Sequence, residues 1–402
     1  MIMVGHLGRG ATVLITDGDQ RSALAACRSL VRAGHTVHVV APTTRSLAGV
    51  SLGVREHVVG VDPLAPSDAF AAAVATLAAR LGADVLIPMT DASATAILSH
   101  ADRLPRECRV PFPSLEEFRL ASDKAAILPL AQAAGFAVPV STVVRSREEA
   151  ASTRLDGFTP GVLKPHRSVV RTGGALRCHA VAPYATIEAG LALLRALPED
   201  AFPVVMQRRV QGHGVGFFAL RWGGVIRAAF AHRRLREVPP SGGVSVYREA
   251  IALPPALTDA GNRLLTALDW EGVAMVECKH DPVTDRYYVM EINPRFWGSL
   301  QLAIDAGVDF PALLVACALG ETPAPITQYR VGLRCRWGWG DVDYLYLRAK
   351  LRSPDESALG AFFRALGEVA RWTPGRDRGE ILRWRDPRPF AVETLRRLHV
   401  LR

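Results

Sequence analysis

The stretch Tyr288-Val-Met-Glu-Ile-Asn-Pro-Arg-Phe-Trp-Gly-Ser299 constrains this chain more than any other. Glu291, Asn293 and Arg295 stand at every second position in an otherwise apolar run, and a period of two is what a strand imposes on residues sharing one face. Pro294 and Gly298 then break the strand and lead into a helix. Upstream, Gly272 to Lys279 is a second apolar run, and Asp281-Pro-Val-Thr-Asp285 between the two reads as a turn. Residues 272–293 are therefore expected to form a hairpin. With its turn near Val283, Glu277 faces Val289 and lies diagonal to Glu291, about 7–8 Å away. Glu277, Glu291 and Asn293 then line one surface, with Arg295 beside them.

Two carboxylates this close repel unless something cationic lies between them. Mg²⁺ takes one or two carboxylates and completes its shell with phosphate oxygens and water. A guanidinium alongside suits the phosphate. The competing reading is a single ion pair to Lys279 or Arg295.

The rest of the chain supplies a setting for that hairpin. Thr12-Val-Leu-Ile-Thr16 reads as a buried strand, Arg21 to Ala33 as a helix closed by Gly34, and His35 to Val40 as the next strand. Phe70 to Leu81 is an Ala-rich helix before the strand Val85-Leu-Ile-Pro88. Such alternation means a parallel sheet with helices on both faces. The first turn lacks GxGxxG, so a dinucleotide site is poorly supported. Ser114 to Gly135 reads as one helix, with Ser122 capping its second half and Pro129 kinking it. Buried strands follow at Gly161 to Pro165 and Pro203 to Met206, and a hairpin at Val215 to Ala231 around Trp222-Gly-Gly224. His232 to Gly243 reads as a basic loop.

Composition bounds the class. A chain of 402 residues is too long for one ordinary domain, and 49% hydrophobic with 22% charged residues is the balance of a globular protein. The six cysteines are scattered with no CxxC, against a disulfide framework or zinc site and in favour of a reducing, cytoplasmic setting. No basic-then-apolar leader opens the chain and no apolar run reaches 18 residues, so neither a signal peptide nor a membrane span is expected. From Val331 onward there are 15 Lys and Arg against 9 Asp and Glu. That tail holds four of the seven tryptophans, read here as an apolar staple. A solvated basic surface disfavours nucleic acid as a partner, and a homodimer is left open.

Lys164 at a strand end, the pair Gly173-Gly174 and Gln207 at a strand exit are each weak signals alone. Taken in order with Asp123-Lys124, Gly135…Pro139, Val162-Leu-Lys-Pro165, Val205-Met-Gln207 and Met290-Glu-Ile-Asn-Pro-Arg-Phe296, they make a pattern. From Thr12 to about Gly320, the chain resembles the ATP-grasp superfamily, most of all its carboxylate–amine ligases, similar to D-alanine–D-alanine ligase and the carbamoyl-phosphate synthase large chain.

The resemblance implies an α/β and α+β architecture. A Rossmann-like N-terminal domain (1–113) precedes a small ATP-grasp subdomain with a glycine loop (114–206) and a metal-binding subdomain (207–326). A basic, Trp-rich C-terminal extension (327–402) follows. It implies ATP and Mg²⁺ as cofactors, two ions, with Mn²⁺ an admissible substitute. Lys124 and Lys164 hold phosphates and the Arg171–Gly174 loop closes over them. Gln207, with backbone at Arg208 and Val210, reads adenine. Glu277, Glu291 and Asn293 bind the metal, and Arg295 meets the transferred phosphoryl group. Where many members carry a ribose-binding acid, this chain has His213 and Gly214, and His213 is taken as the replacement. The basic loop, with Arg233, Arg234, Ser241 and Gly242, is expected to hold the carboxylate substrate. The implied reaction activates a carboxylate as an acyl-phosphate and joins it to an amine, both small molecules. A kinase with a stable phosphorylated product and a non-catalytic nucleotide-binding protein are the alternatives.

Overall fold

The computed structural model of the chain describes residues 10–172, 175–178, 181–240, 242–352 and 356–400. β1 (Thr12–Ile15), α1 (Arg21–Arg32) and β2 (Thr36–Ala41) form the expected βαβ unit. β3 (Val54–Val59), α2 (Ser67–Leu81), β4 (Val85–Ile87) and α3 (Asp91–Ser99) complete a parallel sheet of order β3-β2-β1-β4. Val13, Leu14 and Ile15 are all buried, because a parallel strand covered on both faces has no solvent side.

The single helix expected over Ser114–Gly135 is two helices, α4 (Leu115–Ser122) and α5 (Ile127–Ala133). The break lies upstream of Pro129, which falls in the first turn of α5, where a missing N–H costs nothing. Ser122 does not cap α5. Its hydroxyl donates back to the Phe118 carbonyl, and Asp123 instead accepts from the N–H groups of Ala125 and Ala126.

A second sheet is antiparallel. β5 (Ser141–Val144), α6 (Arg147–Ser152), β6 (Gly161–Pro165), the separate pair β7 (Val169–Thr172) and β8 (Ala175–Cys178), β9 (Ala182–Tyr184), α7 (Ile187–Arg195) and β10 (Val204–Arg208) follow in the chain. The strand order is β5-β10-β6-β9.

The largest sheet holds β11 (His213–Trp222), β12 (Val225–Val238), β13 (Val244–Ile251), β14 (Gly272–Asp281) and β15 (Arg286–Asn293), with α8 (Pro255–Ala267) between β13 and β14. After α9 (Leu300–Ala306) and α10 (Phe310–Ala318), the tail adds β16 (Arg334–Arg336), α11 (Gly338–Lys350), α12 (Ala358–Ala370), β17 (Asp377–Gly379) and α13 (Arg388–Arg397). The order is β15-β14-β11-β12-β13-β16-β17. The residues after Thr327 thus finish this sheet rather than hang from it. α1 packs between the first sheet and α9 and α10, so one core joins Val13 and Ile15 to Phe218, Phe296 and Trp297.

The basic loop expected over His232–Gly243 is strand as far as Val238. Its cations are tolerated there because each has a partner: Arg233 pairs with Glu249, Arg234 with Glu277 and Arg236 with Asp341. In the tail, Trp337 donates to Glu393 and Trp339 to Thr394, which makes these two the staple. Trp384 is 94% exposed and staples nothing. Among the described residues no single helix is long and apolar enough to cross a membrane.

Candidate active site

The hairpin of β14 and β15 carries the expected polar face in a tighter register than its turn implied. A bulge between Glu277 and Cys278 shifts the pairing, so Glu277 stands directly opposite Glu291 instead of Val289, and Met275 opposite Asn293. An extra residue on one strand is what a bulge supplies, and it re-aims the side chains beside it. Opposed carboxylates in a partly buried sheet need compensation, and two cations provide it. Lys124 Nζ lies 3.1 Å from Glu291 Oε2, and Arg234 Nη2 lies 2.6 Å from Glu277 Oε2. Burial raises the Glu277 pKa above the ordinary carboxylate value, and the Glu291 charge adds to this against the pull of Arg234. Burial acts on Glu291 in the same direction, but Lys124, Lys164 and Arg295 together hold it below that value.

Each cation arrives from a different element. Lys124 sits in the break between α4 and α5, its N–H donating to the His166 carbonyl and its Nζ to Ser168. Lys164 is buried on β6, where desolvation lowers its pKa despite Glu291 nearby. Arg295 donates from Nε and Nη2 to Asp91 Oδ2 at 2.9 and 2.7 Å, and from Nη2 to Asn293 Oδ1 at 3.2 Å. Asp91 opens α3, where a helix N-terminus favours an acid. Sequence reading missed Asp91, since 204 residues separate it from Arg295.

Arg234 reaches Glu277 by crossing over β11, the strand between them. Gly214 makes the crossing feasible, because a Cβ there would sit 2.6 Å from Arg234 Cδ. The guanidinium also donates to Glu237 Oε1 and to the Gly243 carbonyl. Two protein acceptors hold its Nη1 and Glu277 holds its Nη2, so Arg234 bridges the two strands internally, contrary to the expected substrate fork. Arg233 points to the other face, donates to Glu249 at 2.9 and 2.6 Å, and does not line the cleft. His213 packs edge-on against His280, with ring centroids 5.1 Å apart, and does not line the cleft either. Glu237, which sequence reading passed over, does. Gly173, Gly174 and Ser241 lie outside the described residues.

Lys164, Arg234, Glu277, Glu291, Asn293 and Arg295 line a cleft of about 690 Å³, and Lys124, paired with Glu291, is not part of that lining. The second sheet contributes Val162, Lys164 and Gln207, followed by Arg208 to Val210. Gln207 is buried, its Nε2 donating to Ser141. The hairpin contributes Glu277, Lys279, Glu291 and Asn293, and Arg295, Trp297, Gly298 and Ser299 line the cleft together with Arg21. Gly242 also lines it. Among the described residues, no group of three or more His, Cys, Asp or Glu could hold a metal. The candidate donor set is two carboxylates and one amide oxygen, all hard ligands of the kind Mg²⁺ accepts beside phosphate and water. Their present pairing with Lys124 and Arg234 shows that this spot requires positive charge.

A family model described as ATP-grasp in the biosynthetic pathway with Ter operon matches residues 219–339. N5-carboxyaminoimidazole synthetase from Staphylococcus aureus complexed with ADP superposes with TM-score 0.60 at 16% identity, over 82% of each chain. The chain has the ATP-grasp fold. L-amino acid ligase from Bacillus licheniformis shares this ATP-grasp architecture at TM-score 0.60 and 16% identity, over 79% of this chain and 76% of that one. So does the biotin carboxylase domain dimer of Hydrogenobacter thermophilus 2-oxoglutarate carboxylase, in complex with MgADP, ADP and bicarbonate. Its TM-score is 0.61 at 14% identity, over 81% of this chain and 74% of that one.

One residue behind the ATP-grasp cleft gives a pH signature. His232 on β12 is fully buried, stacks on Phe218 at 4.6 Å and shares a 2.7 Å hydrogen bond with Ser299. Burial, with Arg234 and Arg248 nearby, lowers its pKa well below 6.5. The native ring stays neutral while the unfolded chain takes a proton, so stability holds above pH 6.5 and falls as pH drops below it. His232→Gln should flatten the slope of unfolding free energy against pH below that value by up to about 1.4 kcal/mol per pH unit. Urea unfolding across the window measures it, and an unchanged slope would rule out a neutral buried imidazole.

Proposed function

We propose that the protein is an ATP-dependent carboxylate–amine ligase. It activates a small carboxylate as an acyl-phosphate, couples it to an amine and releases ADP and phosphate. The observation that carries this reading is the opposed pair Glu277 and Glu291 with Asn293, lining one cleft with Lys164, Arg234 and Arg295, and with Lys124 paired to Glu291 from outside the lining. Phosphoryl transfer asks a protein for positioning and charge neutralisation rather than covalent help.

Lys124 and Lys164 hold phosphate oxygens, and Gln207 with the backbone of Arg208 to Val210 takes the adenine. Glu277, Glu291 and Asn293 would hold Mg²⁺, one ion or two, which when bound neutralises the charge on the phosphates. Asp91 fixes the Arg295 guanidinium so that it faces the transferred phosphoryl group without rotating away. The wall of Trp297 and Met275 keeps water from the activated acid. A cytoplasmic setting suits the reaction, and the free, buried cysteines support it.

The test is ADP release with MgATP across a panel of acids, with and without amines, and with products read by mass spectrometry. Amine-dependent release, with a product of acid plus amine minus water, is expected. A stable phosphate ester formed without amine would replace the ligase reading with a kinase. Absence of Mg²⁺-dependent ATP binding would sink both.

A further inference from the structure

Beyond Arg295 the cleft is walled by a cation with no role so far. Arg21, the first residue of α1, lines the cleft beside Gly298 and Ser299. It is gripped from behind by the tail. Its Nη1 donates to Glu380 Oε2 at 2.7 Å, and its Cζ lies 4.1 Å from the Trp337 ring centroid. Glu380 also lies 2.6 Å from Nη2 of Arg248, which is fully buried. One carboxylate thus faces two guanidinium groups, with Glu393, the acceptor for Trp337, the other acid nearby.

The open edge of that cation faces the cleft. A Cβ at Gly298 would sit 3.2 Å from Arg21 Nη2, so the glycine keeps this edge uncovered. Glu380 and Asp91, the acids that pair with Arg21 and Arg295, stand behind them and do not line the cleft. Arg21 therefore presents its Nη2 edge to whatever lies here, while Arg295 is held by Asp91, Asn293 and the Phe296 carbonyl. Arg295 is committed to the reacting phosphoryl group, which leaves the Arg21 charge for another part of the substrate.

We propose that Arg21 binds a second anionic group, carboxylate or phosphate, on the acid that is activated, with Glu380 and Trp337 as the residues that position it. The proposal rests on the ligase reading and narrows it to acids carrying two negative groups. It also gives the C-terminal residues a part in specificity.

Calorimetric titration of the MgADP-saturated protein tests it, with glutarate, 3-phosphonopropionate and butyrate as probes. Glutarate or the phosphonate should bind about tenfold tighter than butyrate, as a charge-assisted fork predicts, and which of the two wins tells carboxylate from phosphate. Arg21→Gln should reduce that preference to within about twofold while MgADP affinity stays unchanged. Should Arg21→Gln fail to fold, Arg21→Lys keeps a charge for Glu380 but loses the fork. It should weaken the preferred dianion several-fold and leave butyrate unaffected. Equal binding of all three acids to the wild-type protein, or a preference that survives at full strength in the folded Arg21 variant, overturns the proposal. Intact MgADP binding in those cases leaves the nucleotide site standing; its absence would take the ligase reading down as well.

Discussion

Glu291→Gln should reduce Mg²⁺-dependent ADP release by roughly 10²–10³-fold, the range seen when one preorganised electrostatic partner is removed from a closed site. The substitution keeps shape and one oxygen, where Lys124 and Asn293 now use separate oxygens, and removes the charge on which Lys124, Lys164 and Arg295 all act. Two effects compete in stability. Lys124 loses its ion partner, which destabilises. The charge opposite Glu277 disappears, which relieves a repulsion that now raises the Glu277 pKa. Because they offset, the melting temperature should move little while turnover collapses. Steady-state kinetics beside thermal unfolding separates the two, and a variant that keeps turnover within tenfold would remove Glu291 from the metal set.

Arg234→Met should have the opposite profile, with unfolding free energy falling by about 3–5 kcal/mol, the usual cost of removing one partner from a buried ion pair. Glu277, Glu237 and the Gly243 carbonyl all lose their donor together, and Glu277 is left buried against Glu291. A hydrophobic replacement is neutral only when the opposing charge is replaced too, and here it must stay. Gly214→Val should act similarly, since its side chain would enter the path of the guanidinium. Equilibrium unfolding in urea gives the answer. If Arg234→Met were as stable as the parent and only raised KM for the acid, the arginine would be a substrate fork after all and not an internal bridge.

What could be read from the sequence was what depends on near neighbours. The βαβ unit at 12–41 follows from apolar runs and Gly34, and the polar face of 288–295 from strict alternation. What could not be read depends on pairing across the fold. The 232–238 segment reads as a loop because five of its residues are charged or histidine, and only the partners on β13, β14 and α11 make a strand of it. The bulge at Glu277 adds one residue to one strand, which no local pattern announces. Asp91 and Glu380 are ordinary acids in their own neighbourhoods. They become part of the site because the fold brings them to Arg295 and Arg21, 204 and 359 residues away. His213 shows the converse error: the right distance from Gln207 along the chain, but a side chain packed edge-on against His280 rather than lining the cleft.

β13 acquires its outer neighbour late. Residues 334–336 must arrive before its edge is covered, and 377–379 then cover the outer edge of β16. Until that point in synthesis the strand Val244 to Ile251 presents unpaired N–H and C=O groups, the template on which chains add to one another. The nascent protein therefore carries this open edge from the synthesis of β13 until residues 334–336 have been made. Fragments chosen to isolate the nucleotide-binding part would keep that surface permanently, and would be expected to associate through it.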